Sequence, residues 1–318
     1  MPANRSTAVP ARRLDAVHRP PPGDTALLAV GVLAVGTSGP LMAACAAPAL
    51  AIAFWRNGLA ALLLLIWSGL RARSGLRSGG ELCSLTRREW RLSVLAGVML
   101  AAHFAAWVPS LSFTTVASAT ALVATQPVWA ALIAGLEGSP VPGRAWAGIA
   151  LAVAGAAMLS GIDFTTDPRA LFGDALAVLG GALAAMYMAV GGTARRTVTT
   201  TTYTTICYTT AAVVLLAVCL IGRWPLVGYS TATWVQLLAL TAGAQLLGHS
   251  VFNQVLRTTS ATVVSLSILF EIPLAALLAA LFLDQRPPAA AIPAALLLVV
   301  GVAVVVSGRP VPEPAPVD

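Results

Sequence analysis

From residue 25 to residue 307 the chain reads as long apolar runs separated by short polar stretches, with no alternation of period two. Each run comes near the ~20 residues that a helix needs to cross a hydrocarbon core. Ten are predicted, at 25–45, 48–70, 91–111, 114–136, 144–161, 171–190, 202–222, 231–254, 258–283 and 287–307. Strands of a membrane barrel would be about half as long and would alternate in polarity, so the runs are read as helices. The fifth, from Arg144 to Gly161, is the shortest. Residues 1–24 are polar, with Arg5, Arg12, Arg13, Arg19 and a Pro20-Pro21-Pro22 run, and they lack the apolar stretch of a signal peptide. They read as a cytosolic tail, and residues 309–318 as a second, Pro-rich one.

Composition agrees with lipid as the solvent. The 318 residues are 58% hydrophobic and only 10% charged, with a mean hydropathy of +0.84. An ordinary soluble domain carries roughly 25% charged residues. Too little charge remains to cover a water-facing surface, which excludes a soluble globular enzyme, and a disordered chain would be far more polar. The net charge of +7 would in a soluble protein point to nucleic acid. Here the charge sits in short stretches between apolar runs, so it is read as an orientation signal, with no nucleic-acid partner. All 19 basic residues are Arg. With the N-terminus inside, fifteen fall on cytosolic segments and three, Arg169, Arg223 and Arg286, outside, while Arg56 lies within a run. This split predicts a multi-pass protein of the inner (plasma) membrane with both termini and the 71–90 loop in the cytosol. Cys45, Cys83, Cys207 and Cys219 form no CxxC or Cys/His spacing and are read as isolated thiols. Neither a metal nor a cofactor is expected.

The chain also repeats itself. Pro127-Val-Trp-Ala-Ala-Leu-Ile-Ala corresponds to Pro273-Leu-Ala-Ala-Leu-Leu-Ala-Ala, 146 residues on, and Gly155 to Gly301 at the same offset. Ser160-Gly161 corresponds to Ser307-Gly308, and the Ser/Thr-rich lead-ins 114–120 and 258–262 also match. Each half therefore holds five helices. Five is odd, so the second half enters the membrane from the opposite side. The expected fold is an all-α membrane protein, ten transmembrane helices in two inverted five-helix repeats. Its parts are a tail (1–24), a first repeat (25–161), a linker (162–170), a second repeat (171–308) and a tail (309–318). Inverted halves that exchange conformations give alternating access.

An ionisable group at membrane depth costs at least ~2.5–3.5 kcal/mol unless paired or wet, so the few present are functional candidates. Glu271 lies mid-span, two residues before Pro273, and is read as the candidate coupling group, with a protonated acid hydrogen-bonded between helices as the alternative. A proline frees a carbonyl four residues back, and such interruptions line sites. Gln126 precedes Pro127 at the matching depth of the other half. Arg56, eight residues into the second run, has three readings: a pair with Glu271, a contact for an anionic substrate group, or snorkelling to the surface. His103 and Trp107 share a helix face, as do His249 and Asn253 with Gln245 a turn before. Both pairs read either as cavity lining or as interhelical packing. Tyr187 is mid-span and completes the substrate-binding set of Arg56, His103, Trp107, Gln126, Tyr187, His249 and Asn253. Asp174, near the start of the sixth run, is read as an N-terminal cap or a partner of the helix dipole. No P-loop, HExxH or paired membrane acids are present, so no catalytic residue is assigned.

In this setting the chain resembles the EamA-type branch of the drug/metabolite transporter superfamily. The resemblance runs between the tails and rests on Phe54-Trp55-Arg56-Asn57, His103-Phe104-Ala105-Ala106-Trp107 with Ser110-Leu111, Gln126-Pro127-Val128, Gly173-Asp174-Ala175-Leu176, Gly248-His249-Ser250 with Asn253, and Glu271-Ile272-Pro273. The family's usual Gly-Glu after the fourth and ninth helices is here Gly138-Ser139 and Asp284-Gln285, with Glu137 displaced, and its Glu-Pro is one residue longer. The resemblance implies transport of small organic solutes, most often export. With the inverted repeat, the chain is read as a secondary exporter of amino acids, drug-like compounds or other metabolites, driven by the proton gradient or by solute exchange, as a monomer or homodimer. The rival readings are a lipid-carrier flippase on the same scaffold, a uniporter, and an intramembrane enzyme.

Overall fold

A computed structural model gives the fold and describes residues 20–73, 81–138, 141–160, 168–284 and 291–306. Most of both tails, Arg77, Ser139, Gly161, most of the linker, Gln285 and Arg286 lie outside the described residues. The described residues group into ten long helices and a single turn, Glu81–Ser84. We number the helices α1 (Pro22–Ala43), α2 (Ala49–Arg73), α3 (Arg87–Ser110), α4 (Val116–Leu136), α5 (Gly143–Ser160), α6 (Pro168–Ala194), α7 (Thr200–Ile221), α8 (Thr231–Val255), α9 (Ala261–Phe282) and α10 (Ala291–Val306). Eight of these, all but α5 and α10, are long and apolar enough to cross a membrane. Large apolar side chains face outward along them, among them Leu63 and Ile66 on α2, Val213 on α7 and Leu277 on α9. Only a lipid surround makes such a surface favourable.

The expected boundaries need small corrections. The first tail is shorter than predicted, because α1 opens at Pro22. Proline suits the first helical turn, where its missing N–H has no helical partner, and Asp24 beside it favours the helix dipole. Likewise α6 opens at Pro168. Asp174 is therefore seven residues into that helix and does not cap it.

Three helices are broken, each by the same chemistry. The first half of α1 ends at Gly36, four residues before Pro40. That of α4 ends at Val123, four before Pro127. That of α9 ends at Ile268, and Leu269, four before Pro273, is its cap. A proline ring clashes with the carbonyl four residues back and has no N–H to offer it, so the helix stops there and restarts. In α4 the freed Val123 carbonyl lies against α6, where a Cβ on Gly181 would meet it at 2.6 Å. Glycine makes that approach possible.

The repeat is visible in these pieces. The halves of α4, Val116–Val123 and Gln126–Leu136, match those of α9, Ala261–Ile268 and Glu271–Phe282. Thr115 and Ser260 cap them alike, each accepting a hydrogen bond from the backbone N–H three residues on. Gln126 and Glu271 thus open equivalent half-helices. The last helices of the two halves, α5 and α10, pack backbone to backbone, since a Cβ on Gly301 would meet Gly148 O at 2.6 Å.

Candidate functional site

Helix α8 departs from α geometry at its centre. Thr241–His249 is π-helical, with the Ser250 N–H bonded five residues back to Gln245 O. Tyr208 on α7 and the Ser250 hydroxyl also reach that carbonyl, each at 3.4 Å. The extra residue in the turn sets which way Gln245 and His249 face.

Gln245 faces α2 and holds the one arginine of the membrane core that sequence singles out. Arg56 is fully buried. Its Nε donates to Gln245 Oε1 at 2.9 Å, and its Nη1 donates to Ser38 Oγ at 3.0 Å and to Met42 Sδ at 3.5 Å. The guanidinium lies 4.3 Å from the centroid of the Phe104 ring. Gln245 in turn donates to Asn57 Oδ1 at 3.1 Å. Of the three readings for Arg56, snorkelling is excluded by its burial. It is within electrostatic range of Glu271 but not hydrogen-bonded to it.

Phe104 is the centre of a ring cluster. His103 stacks on Trp107 at 5.5 Å, and its Nδ1 is 2.9 Å from Gly180 O on α6. His249 meets Phe104 edge-on at 5.5 Å and lies 6.3 Å from Tyr187. Below it the Tyr187 hydroxyl donates to Asn253 Oδ1 at 2.8 Å. Asn253 Nδ2 reaches Tyr208 at 3.5 Å. The Asn253 carbonyl accepts from Arg195 Nε at 3.0 Å, and Arg195 also donates to Val198 O and to Thr200 Oγ1. Polar contacts therefore run along α8 from Ser38 and Arg56 to Arg195.

The structure thus brings together Arg56, His103, Trp107, Tyr187, His249 and Asn253. Gln126 and Glu271 are buried where their own helices restart. No hydrogen bond or ring contact ties Gln126 Oε1 to the cluster. Several buried polar atoms here have no hydrogen-bond partner: Arg56 Nη2, Trp107 Nε1, His249 Nδ1, Gln126 Oε1 and Glu271 Oε2. Among the described residues no group of three His, Cys, Asp or Glu could hold a metal ion. Cys45, Cys207 and Cys219 are free thiols.

Sequence reading missed Ser38, Met42, Tyr208 and Arg195. Ser38 carried a usable signal, since it precedes Pro40 by two residues as Glu271 precedes Pro273. Arg195 was counted among loop charges yet is almost wholly buried.

A separate open pocket lies at one end of the bundle, lined by Glu137, Thr193, Arg196, Thr259, Ser260 and Thr262 among others. The opposite end is covered by residues 222–230. There the Trp55 indole donates to Leu226 O at 2.8 Å and packs edge-on against Trp234 at 4.9 Å. Gln236 donates to Ala44 O at 3.3 Å beside it.

Two comparisons bear on this arrangement. Residues 24–161 and 171–307 each match the EamA-like transporter family. A solved structure titled only "Crystal structure of protein" superposes with a TM-score of 0.70, covering 89% of this chain and 96% of its own, at 20% identity. At that identity the likeness concerns the fold. No curated protein matches the chain.

Proposed function

The chain belongs to the EamA-like transporter family, within the drug/metabolite transporter superfamily, and we propose that it is a secondary exporter of small organic metabolites working by alternating access. That it is a multi-pass membrane transporter follows from the family and the apolar helices. In the finer reading all ten helices span the inner membrane as two inverted five-helix repeats, with both termini in the cytosol. The buried cluster around Phe104 is the substrate site. One observation carries this: polar side chains from both halves of the chain, Arg56 and His103 from one and Tyr187, Gln245, His249 and Asn253 from the other, converge in a lipid-surrounded core. Groups so costly to bury are retained where a solute passes.

Glu271 is the coupling residue in this reading. It opens the second half of α9 with one carboxylate oxygen unpartnered, within range of Arg56. Its counterpart Gln126 does not titrate, so protonation acts through one repeat only. The test is solute uptake into vesicles at matched expression, with and without an imposed pH gradient. Glu271→Gln, which mimics the protonated acid, is expected to insert normally and lose the gradient response while keeping passive exchange. Gln126→Ala is expected to weaken substrate binding and keep the response. A Glu271→Gln protein that follows the gradient as the parent does would remove the coupling role. Movement of labelled lipid between leaflets in place of solute would favour the flippase.

A further inference from the structure

Three side chains that meet at the Phe104 ring each end in a buried polar atom without a partner. Arg56 lies over the ring face, His249 meets it edge-on at 5.5 Å, and Trp107 lies 6.4 Å away. The open atoms are Arg56 Nη2, His249 Nδ1 and Trp107 Nε1. Two of these are obligate donors, and the third donates or accepts according to its tautomer. Buried polar groups are nearly always satisfied, so three open ones around a single ring call for a bound partner that supplies acceptors.

We propose that this cluster recognises an organic anion, a carboxylate carried on a planar apolar body. The inference rests on the transporter reading and names the class of solute for its site. A carboxylate offers acceptors only and matches the open donors of Arg56 and Trp107. Nε and Nη1 of Arg56 are already engaged by Gln245, Ser38 and Met42, so Nη2 is left for a single charge-assisted contact. The stacked His103 and Trp107 rings with Phe104 supply a wall for the planar body. The Phe104 ring face that would attract a cationic solute already holds the arginine's own charge. Glu271 makes no hydrogen bond to Arg56, so the Nη2 contact is left to the solute.

The test uses the purified full chain in detergent and three probes of one shape: benzoate, benzamide and benzylamine. Equilibrium dialysis of labelled probe gives affinity, and a cooperative thermal melt reports folding. Benzoate is expected to bind, benzamide about tenfold more weakly, and benzylamine not measurably. Arg56→Lys keeps the charge but loses the planar donor fork, and about a tenfold loss of benzoate affinity is expected. Trp107→Phe keeps an aromatic wall and removes one donor, and about a fivefold loss is expected. Benzylamine binding as tightly as benzoate, unchanged benzoate binding in both folded variants, or no benzoate binding to the folded parent at millimolar concentration would each overturn the proposal. No gradient enters these measurements. Failure here removes the anion site and leaves transport to the vesicle assay, whereas a chain that binds benzoate but moves no solute keeps the site and loses the transport reading.

Discussion

A guanidinium in a membrane core is held by its hydrogen bonds, and for Arg56 the central one is to Gln245, which also satisfies Asn57. Gln245→Leu leaves a buried cation with one anchor fewer and Asn57 Oδ1 without its donor. A loss of about 2–3 kcal/mol is expected, because bonds to charged groups are the costly ones to remove. A thermal melt in detergent checks it, against Gln254→Leu, an exposed position on the same helix, expected to melt as the parent does. The depth of Arg56 and of Glu271 was legible from their places in apolar runs. The partner of Arg56 was not. Gln245 is 189 residues away, and the π turn that aims it follows no sequence signal we can name. Asp174 shows the opposite failure: a cap was read from a helix start placed three residues late, and the side chain instead leaves a buried oxygen without a partner.

At the scale of elements, proline position decides where α1, α4 and α9 break, and a small residue opposite decides whether the break can be packed. Gly181→Ala places a methyl group against the Val123 carbonyl, where a Cβ would sit 2.6 Å away. One of the two backbones must shift, at a cost of about 1–3 kcal/mol. A lowered melting temperature is expected, against an equal or slightly higher one for Gly192→Ala, where nothing lies within 4 Å of the added carbon and alanine is the better helix former. The breaks at Pro127 and Pro273 could be anticipated because the two halves of the chain repeat them. The break at Pro40 has no counterpart in α6, which runs unbroken from Pro168 to Ala194, so comparison of the repeats gave no sign of it.

At the scale of the whole molecule the two ends differ. The end bearing residues 222–230 is covered by Trp55, Tyr229 and Trp234, while the other holds the pocket beside Glu137 and Arg196. Under the proposed topology the covered end faces outward and the pocket faces the cytosol. Cys45 lies on the covered side, between α1 and α2, and is buried. With an impermeant thiol reagent on intact cells, Cys83 is expected to stay unlabelled. Trp55→Phe, which removes the bond to Leu226 O and trims the packing on Trp234, is expected to raise Cys45 labelling severalfold. Rapid labelling of Cys83 from outside would reverse the orientation. The ten long helices were legible, with ends off by a few residues, because lipid imposes a length and a polarity on a span. Which end is covered was not, because that depends on contacts such as Trp55 with Leu226, 171 residues apart.

The π turn of α8 stores one residue more than an α-helix would take up. Rewinding it to α geometry would rotate everything beyond Gln245 by roughly 100°, the angle of a single residue. His249 would swing off Phe104 and Asn253 off Tyr187 in the same twist, while Gln245 kept its hold on Arg56. The helix is in this sense a screw with a spare tooth. Its torsion, more than any hinge, would then decide whether the contacts at Phe104 and Tyr187 hold, and the two arginines at the ends of the polar line would come uncoupled in one stroke.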